Sequence, residues 1–195
     1  MDKNSRGFLY LMNTALEAGI AAGAVILFII GKVSIAKILH EVSPVWVQLS
    51  AGLAAGAVLG ILCGLLVTKA AFFMPVKELT GELVTKYSLK TIDLLFISLT
   101  AAICEELLFR GALQRAWGIW PVSLLFILLH GYFTFRNYKI MLYGLIMLLI
   151  SAGIGYTYQY MGLYAAISFH FVFDLASLIA VKMAGAGKTP VPANK

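Results

Sequence analysis

Six apolar stretches separated by short polar connections dominate this sequence, at residues 8–30, 45–67, 92–113, 120–135, 140–160 and 163–183. Most approach the roughly 20 residues that a helix needs to cross the hydrocarbon core of a bilayer. Inside lipid every backbone polar group must be satisfied within the chain, so runs of this length read as spanning helices. The first run, although preceded by Lys3 and Arg6, exceeds the roughly 7 to 15 apolar residues of a signal peptide and has no clear cleavage site. With 61% hydrophobic and 12% charged residues the chain falls well outside the soluble range, where about 25% charged is usual. The expected fold is all-α, a polytopic transmembrane helix bundle of about six spans plus an interfacial amphipathic helix over residues 74–90, where Pro75 opens a segment carrying Lys77, Glu78, Glu82, Lys86 and Lys90.

The formal charge of +6 does not point to nucleic acid, because the basic residues are scattered singly between apolar runs. They act instead as topology determinants. With both termini inside, Lys3, Arg6, Lys69, Lys77, Lys86, Lys90, Arg136, Lys139, Lys182, Lys188 and Lys195 lie on the inner side, and Lys32, Lys37, Arg110 and Arg115 on the outer. The chain divides into residues 1–88, two spans and the interfacial segment; residues 89–183, a four-helix core; and residues 184–195, a Gly, Pro and Lys-rich tail expected to be disordered. In the second span Gly52, Gly56, Gly60 and Gly64 recur every four residues, a stripe on which another backbone, of this chain or of a second copy, can pack closely. Cys63 and Cys104 stand in apolar runs outside any CxxC pair and read as small buried residues.

Against this background Glu105-Glu106-Leu107-Leu108-Phe109-Arg110 is anomalous. An ionised side chain at the centre of a spanning helix costs about 2.5 to 3.5 kcal/mol, and a Leu or Phe returns only about 0.3 to 0.6. Glu106 and Arg110, four apart, can share a helical face and pair, whereas Glu105 is turned about 100° away. An ionisable group without a local partner at this depth is a functional-site candidate. Glu17, in the first span, is read as facing a polar neighbour. Further along, Phe126 precedes His130 by four residues and His170 precedes Asp174 by four, so each pair shares a face.

The order EELLFR at 105–110, FILLH at 126–130 and HFVFD at 170–174 resembles the CPBP family of intramembrane endopeptidases, also called Abi, which includes the type II CAAX prenyl endopeptidases. The resemblance covers residues 89–183. It implies peptide-bond hydrolysis at or within the membrane, with Glu105 as the general base on water, His130 holding that water, and His170 and Asp174 stabilising the oxyanion. Glu106 and Arg110 would fix the helix and local charge, with Phe126 in support. Where the CAAX enzymes carry Asn, this chain carries Asp174, which when ionised cannot donate a hydrogen bond and must either be protonated or act indirectly, orienting His170 and favouring its charged form. The preferred mechanism requires no cofactor; a zinc ion held by Glu105, His130 and His170 is the alternative, since two His and a carboxylate make a hydrolytic metal set.

The implied partners are the lipid bilayer and a peptide or membrane-protein substrate, with or without a lipid anchor, and no nucleic acid. The expected location is the bacterial cytoplasmic membrane. Two further readings belong to other classes: a non-catalytic membrane scaffold or bacteriocin self-immunity protein on the same fold, and a small proton-coupled transporter using the acids and histidines as a relay. Because Glu105 lies near the end of one span and His170 near the start of another, the site is expected toward the loops after spans three and five; charge counting puts that face outside, whereas the resemblance to the CAAX enzymes implies substrates from the cytosol, and the side stays open.

Overall fold

The computed structural model describes residues 5–34, 38–39 and 42–185; the tail expected at 184–195 lies, beyond Gly185, outside the described residues. No strand occurs among the described residues, and helices follow one another through short connections. The elements are α1 (Arg6–Ile30), α2 (Val45–Lys69), a single 3-10 turn (Ala71–Phe73), α3 (Met74–Lys86), α4 (Thr91–Glu106), a π-helix (Leu107–Leu113), α5 (Gln114–Trp117), α6 (Ile119–Leu129), α7 (Tyr138–Met161) and α8 (Leu163–Met183). Helices α1, α2, α7 and α8 are each long and apolar enough to cross a membrane. The chain is an all-α, polytopic helical bundle, as its apolar runs predict.

Two expected spans take a different form. The third is not a uniform α-helix: directly after Glu106 its backbone widens into the π-helix before tightening again at Gln114. Gly111 lies inside this π-helix, against the side chains of Phe28 and Ile38. The return is made at Gly118, where φ is +81°. The fourth span is helical for only 11 residues, about 16 Å, and stops at its cap His130. It nevertheless follows α7 in antiparallel register, Ile119 lying beside Gly155 and Tyr132 beside Gly144, so residues 131–137 complete the traverse without helix.

The most extensive helix pair is α2 with α8. All four stripe glycines face α8: a Cβ on Gly52 would strike Ser168 and the Ala165 carbonyl, and one on Gly56 the Phe169 carbonyl. One on Gly60 would sit 2.7 Å from the Phe173 carbonyl, and one on Gly64 2.6 Å from Ala180 Cβ. The stripe therefore serves an internal contact. Because Gly56 and Gly60 seat against Phe169 and Phe173, the next residues on α8, His170 and Asp174, are rotated about 100° toward the middle of the bundle.

Helices α1 and α4 run parallel and are joined by polar contacts: Tyr10 donates to Asp93, and Asn13 Nδ2 to Thr100 Oγ1 at 3.0 Å. Lys182 Nζ reaches Thr91 Oγ1 at 3.4 Å, and Lys139 Nζ lies 5.4 Å from the Phe72 ring centre. These contacts place Arg6, Lys69, Lys77, Lys86, Lys90, Arg136, Lys139 and Lys182 at one end of the bundle. Among the described residues the other end carries Lys32 and Arg115.

Candidate active site

The site is assembled on three elements whose local structure sets its geometry. At the α4–π junction, Glu106 and Arg110 are both fully buried, with Arg110 Nε donating to Glu106 Oε2 at 3.0 Å. The Arg110 Nη2 group continues to α7, donating to the Ser151 carbonyl at 3.1 Å and to Ser151 Oγ at 2.9 Å. π-turns recur at functional sites because they displace side chains from α-helical register, and this one begins with the residue after the two glutamates.

From α8, His170 Nδ1 meets the second oxygen of the same carboxylate, Glu106 Oε1, at 2.8 Å. Its Nε2 faces Asp174 Oδ2 at 3.3 Å and Glu105 Oε2 at 3.9 Å. The ring is thus aligned to donate from both nitrogens, and Glu106 is shared between Arg110 and His170, which between them occupy both of its oxygens. From the end of α6, His130 Nδ1 donates to the Phe126 carbonyl at 2.8 Å; since a carbonyl can only accept, the proton resides there and Nε2 is left turned toward Glu105 Oε2, 3.9 Å away. Phe126 fills the space between the histidines, stacked on His130 at 4.2 Å and edge-on to His170 at 5.9 Å, with Phe109 at 4.9 Å behind it.

Glu105 differs from its neighbour. It is buried, yet Oε2 has no hydrogen-bond partner among the described residues, and it lies at the same 3.9 Å from the Nε2 atoms of both histidines. A buried carboxylate oxygen left unsatisfied costs on the order of 1 to 3 kcal/mol or more, so an arrangement that retains one has a use for it. Beside it opens a cavity of about 320 Å³ whose wall includes Phe126, His130, His170 and Asp174, and which extends past Met147, Ile150 and Phe173 to Leu79 and Leu83 of α3. Through Arg110 the charged cluster is tied to Ser151, midway along α7, and the cavity runs from there toward the basic end of the bundle, where α3 forms part of its wall.

The structure brings Glu105, Glu106, Arg110, Phe126, His130, His170 and Asp174 into one site. Among the described residues no three His, Cys, Asp or Glu side chains converge closely enough to hold an ion. His170 binds Glu106 through Nδ1, as a metal-ligating histidine also would, and directs Nε2 to Asp174. Two residues beside the site were not assigned to it from the sequence. Ser151 stands in an apolar run, and no local pattern links it to Arg110. Glu17 is 5% exposed with Oε2 unpartnered, and lies near enough to Cys104 and Glu105 to interact with both electrostatically. An acid within a span was the signal, and its closeness to the glutamate pair appears only in three dimensions.

Residues 87–176 match the family described as Type II CAAX prenyl endopeptidase Rce1-like. A stretch of 82 residues is 37% identical to the uncharacterized protein YpbD of Bacillus subtilis (strain 168), covering 42% of this chain and 41% of that protein. The chain thus matches about two fifths of the length of this relative. No solved structure matches. The matched segment holds Glu105, Glu106, Arg110, His130, His170 and Asp174 together, and over that segment the chain is similar to the Rce1-like type II CAAX prenyl endopeptidases.

Proposed function

We propose that this protein is an intramembrane endopeptidase in which Glu105 activates a water molecule for attack on a peptide bond. The observation that carries the reading is the unpartnered Glu105 Oε2, equidistant from the Nε2 atoms of two imidazoles that line a largely apolar cavity. The gap between Glu105 Oε2 and His130 Nε2 is too long for a direct hydrogen bond and suits one bridged by water. In the attack the water oxygen bonds to the carbonyl carbon, its proton passes to Glu105, and the carbonyl electron pair moves onto oxygen, facing His170 Nε2–H. Collapse restores the carbonyl and breaks the carbon–nitrogen bond, and Glu105 returns the proton to the leaving amine. Glu106 and Arg110 act through His170 by holding its Nδ1 and the position of α4.

The substrate is a peptide or membrane-protein segment approaching from the basic end, which the positive-inside rule assigns to the cytoplasm. The test compares wild type with Glu105→Gln and His130→Ala, purified in detergent, on quenched peptides with and without a farnesyl chain. Wild-type cleavage reduced by about 10²- to 10⁴-fold in both variants is the expected result. A wild type that cleaves none of them would overturn the reading in favour of a binding scaffold. Reporter fusions at Trp117 and Tyr138 fix the side: an extracytoplasmic signal at Tyr138 would reverse the direction of access.

A further inference from the structure

The proposed hydrolysis leaves one chemical need unmet. As the carbonyl oxygen becomes an oxyanion it requires donors, and Asp174, when ionised, offers only acceptor atoms beside His170. A carboxylate there repels the charge that develops, so a second donor beside His170 Nε2–H would come from another part of the cavity wall. The hydroxyl groups of that wall can be taken in turn. Ser177 Oγ donates its hydrogen to the Gly60 carbonyl at 3.2 Å, whereas Ser151 Oγ accepts from Arg110 and Tyr143 from the Cys63 thiol at 3.5 Å, so both keep a hydroxyl hydrogen while being held by those partners. Thr80 belongs to α3.

Among these wall hydroxyls Tyr132 is the one whose ring lies parallel to that of His130, and the backbone is built to place it. The chain leaves α6 at His130, turns at Gly131 with φ +75°, and sets the Tyr132 ring parallel to the His130 ring at 6.2 Å and 6°. Its Cβ and carbonyl press on Gly144 of α7, where an added Cβ would come within 2.8 Å, so α7 provides a slot that only glycine leaves open. Tyr143 packs edge-on at 5.4 Å and closes the other side. The hydroxyl makes no hydrogen bond among the described residues, while the side chain lines the cavity with His130, His170 and Asp174 and interacts electrostatically with Asp174 and Glu105.

We propose that Tyr132 is a catalytic residue of the endopeptidase reaction, donating its phenolic hydrogen bond to the oxyanion opposite His170. No bond to Tyr132 forms or breaks; its proton stays on the phenol throughout, and its contribution is a preorganised dipole. The inference rests on the hydrolytic reading and can fail separately from it.

The test measures kcat and KM for Tyr132→Phe, Asp174→Asn and the double variant on the quenched peptide that wild type cleaves best, with thermal melts. Tyr132→Phe is expected to lower kcat by about 10²- to 10³-fold with KM nearly unchanged, the usual effect of losing one oxyanion donor. Adding Asp174→Asn should recover part of that loss, because the amide supplies an N–H where the carboxylate had none. A peptide trifluoromethyl ketone, whose hydrate mimics the tetrahedral state, should bind Tyr132→Phe more weakly in similar proportion, a readout independent of turnover. Wild-type kcat and ketone affinity in Tyr132→Phe, or a loss confined to KM, would overturn the assignment while leaving the Glu105 chemistry standing. A wild type that cleaves no peptide defeats both.

Discussion

Helix α8 has two faces that solve opposite problems. One lies on α2, backbone against backbone along the four glycines, with the Ser177–Gly60 hydrogen bond among its few polar contacts. The other carries His170 and Asp174 into a cluster in which Glu106, Arg110 and Ser151 are linked by hydrogen bonds of 2.8 to 3.1 Å. The glycine face has little freedom to slide, because each missing Cβ is a socket for a particular carbonyl or side chain of α8. The polar face depends on that fixity, since a shift of one ångström along α8 would detach His170 from Glu106. In a membrane, where lipid tails are as apolar as the helices, close contact between small residues fixes register and hydrogen bonds then use it.

Removing charge from the polar face should have the largest effect on the folded state. Arg110→Met leaves Glu106 buried with His170 as its remaining hydrogen-bond partner, and uncompensated buried charges cost about 3 to 5 kcal/mol. The expected result is a strongly lowered melting temperature with loss of activity; a variant that melts like wild type would show that the pair is not what holds α4 in place. On the other face, Gly56→Ala drives a methyl group into the Phe169 carbonyl, whereas Gly153→Ala meets no atom within 4 Å. Overpacking of this kind costs about 1 to 3 kcal/mol. Gly56→Ala should therefore melt lower than Gly153→Ala and lose cleavage although no site residue has changed. Equal melts for the two would remove the distinction between the faces. The smallest effect belongs to the rim: Arg6, 41% exposed and 3.7 Å from Asp93, should change stability by less than about 1 kcal/mol on Arg6→Ala, because exposed ion pairs are screened. A larger loss in the melt would mean that the α1–α4 seam carries more of the fold than its geometry suggests.

The sequence made the polar residues of the site legible because each pair is four apart on a helix and each stands out against apolar neighbours. It also marked the glycine stripe, although not its partner, since small residues advertise closeness without naming what approaches. The π-turn after Glu106 was hidden because a switch from i→i+4 to i→i+5 bonding leaves no trace in the order of apolar residues. Ser151 and Tyr132 were equally silent, as a serine in a span and a tyrosine in a turn have many ordinary uses. His130 was placed correctly on its face but inside a span longer than the helix that bears it, because Gly131 ends α6 while the apolar character continues to Phe135.

The fully buried Glu106–Arg110 pair has a consequence for the order of synthesis. Arg110 waits 41 residues for Ser151, and Glu106 waits 64 residues for His170. At roughly 5 to 20 residues per second, the most polar helix of the bundle exists for several seconds before its permanent partners have been made. During that interval the ion pair within one turn is what makes α4 tolerable to the membrane, and the bundle becomes a settled structure only as its last helix arrives. The residues of α8 that close the charged cluster are also those that pack against α2, so the assembled cluster and the packed α2–α8 pair appear at the same moment.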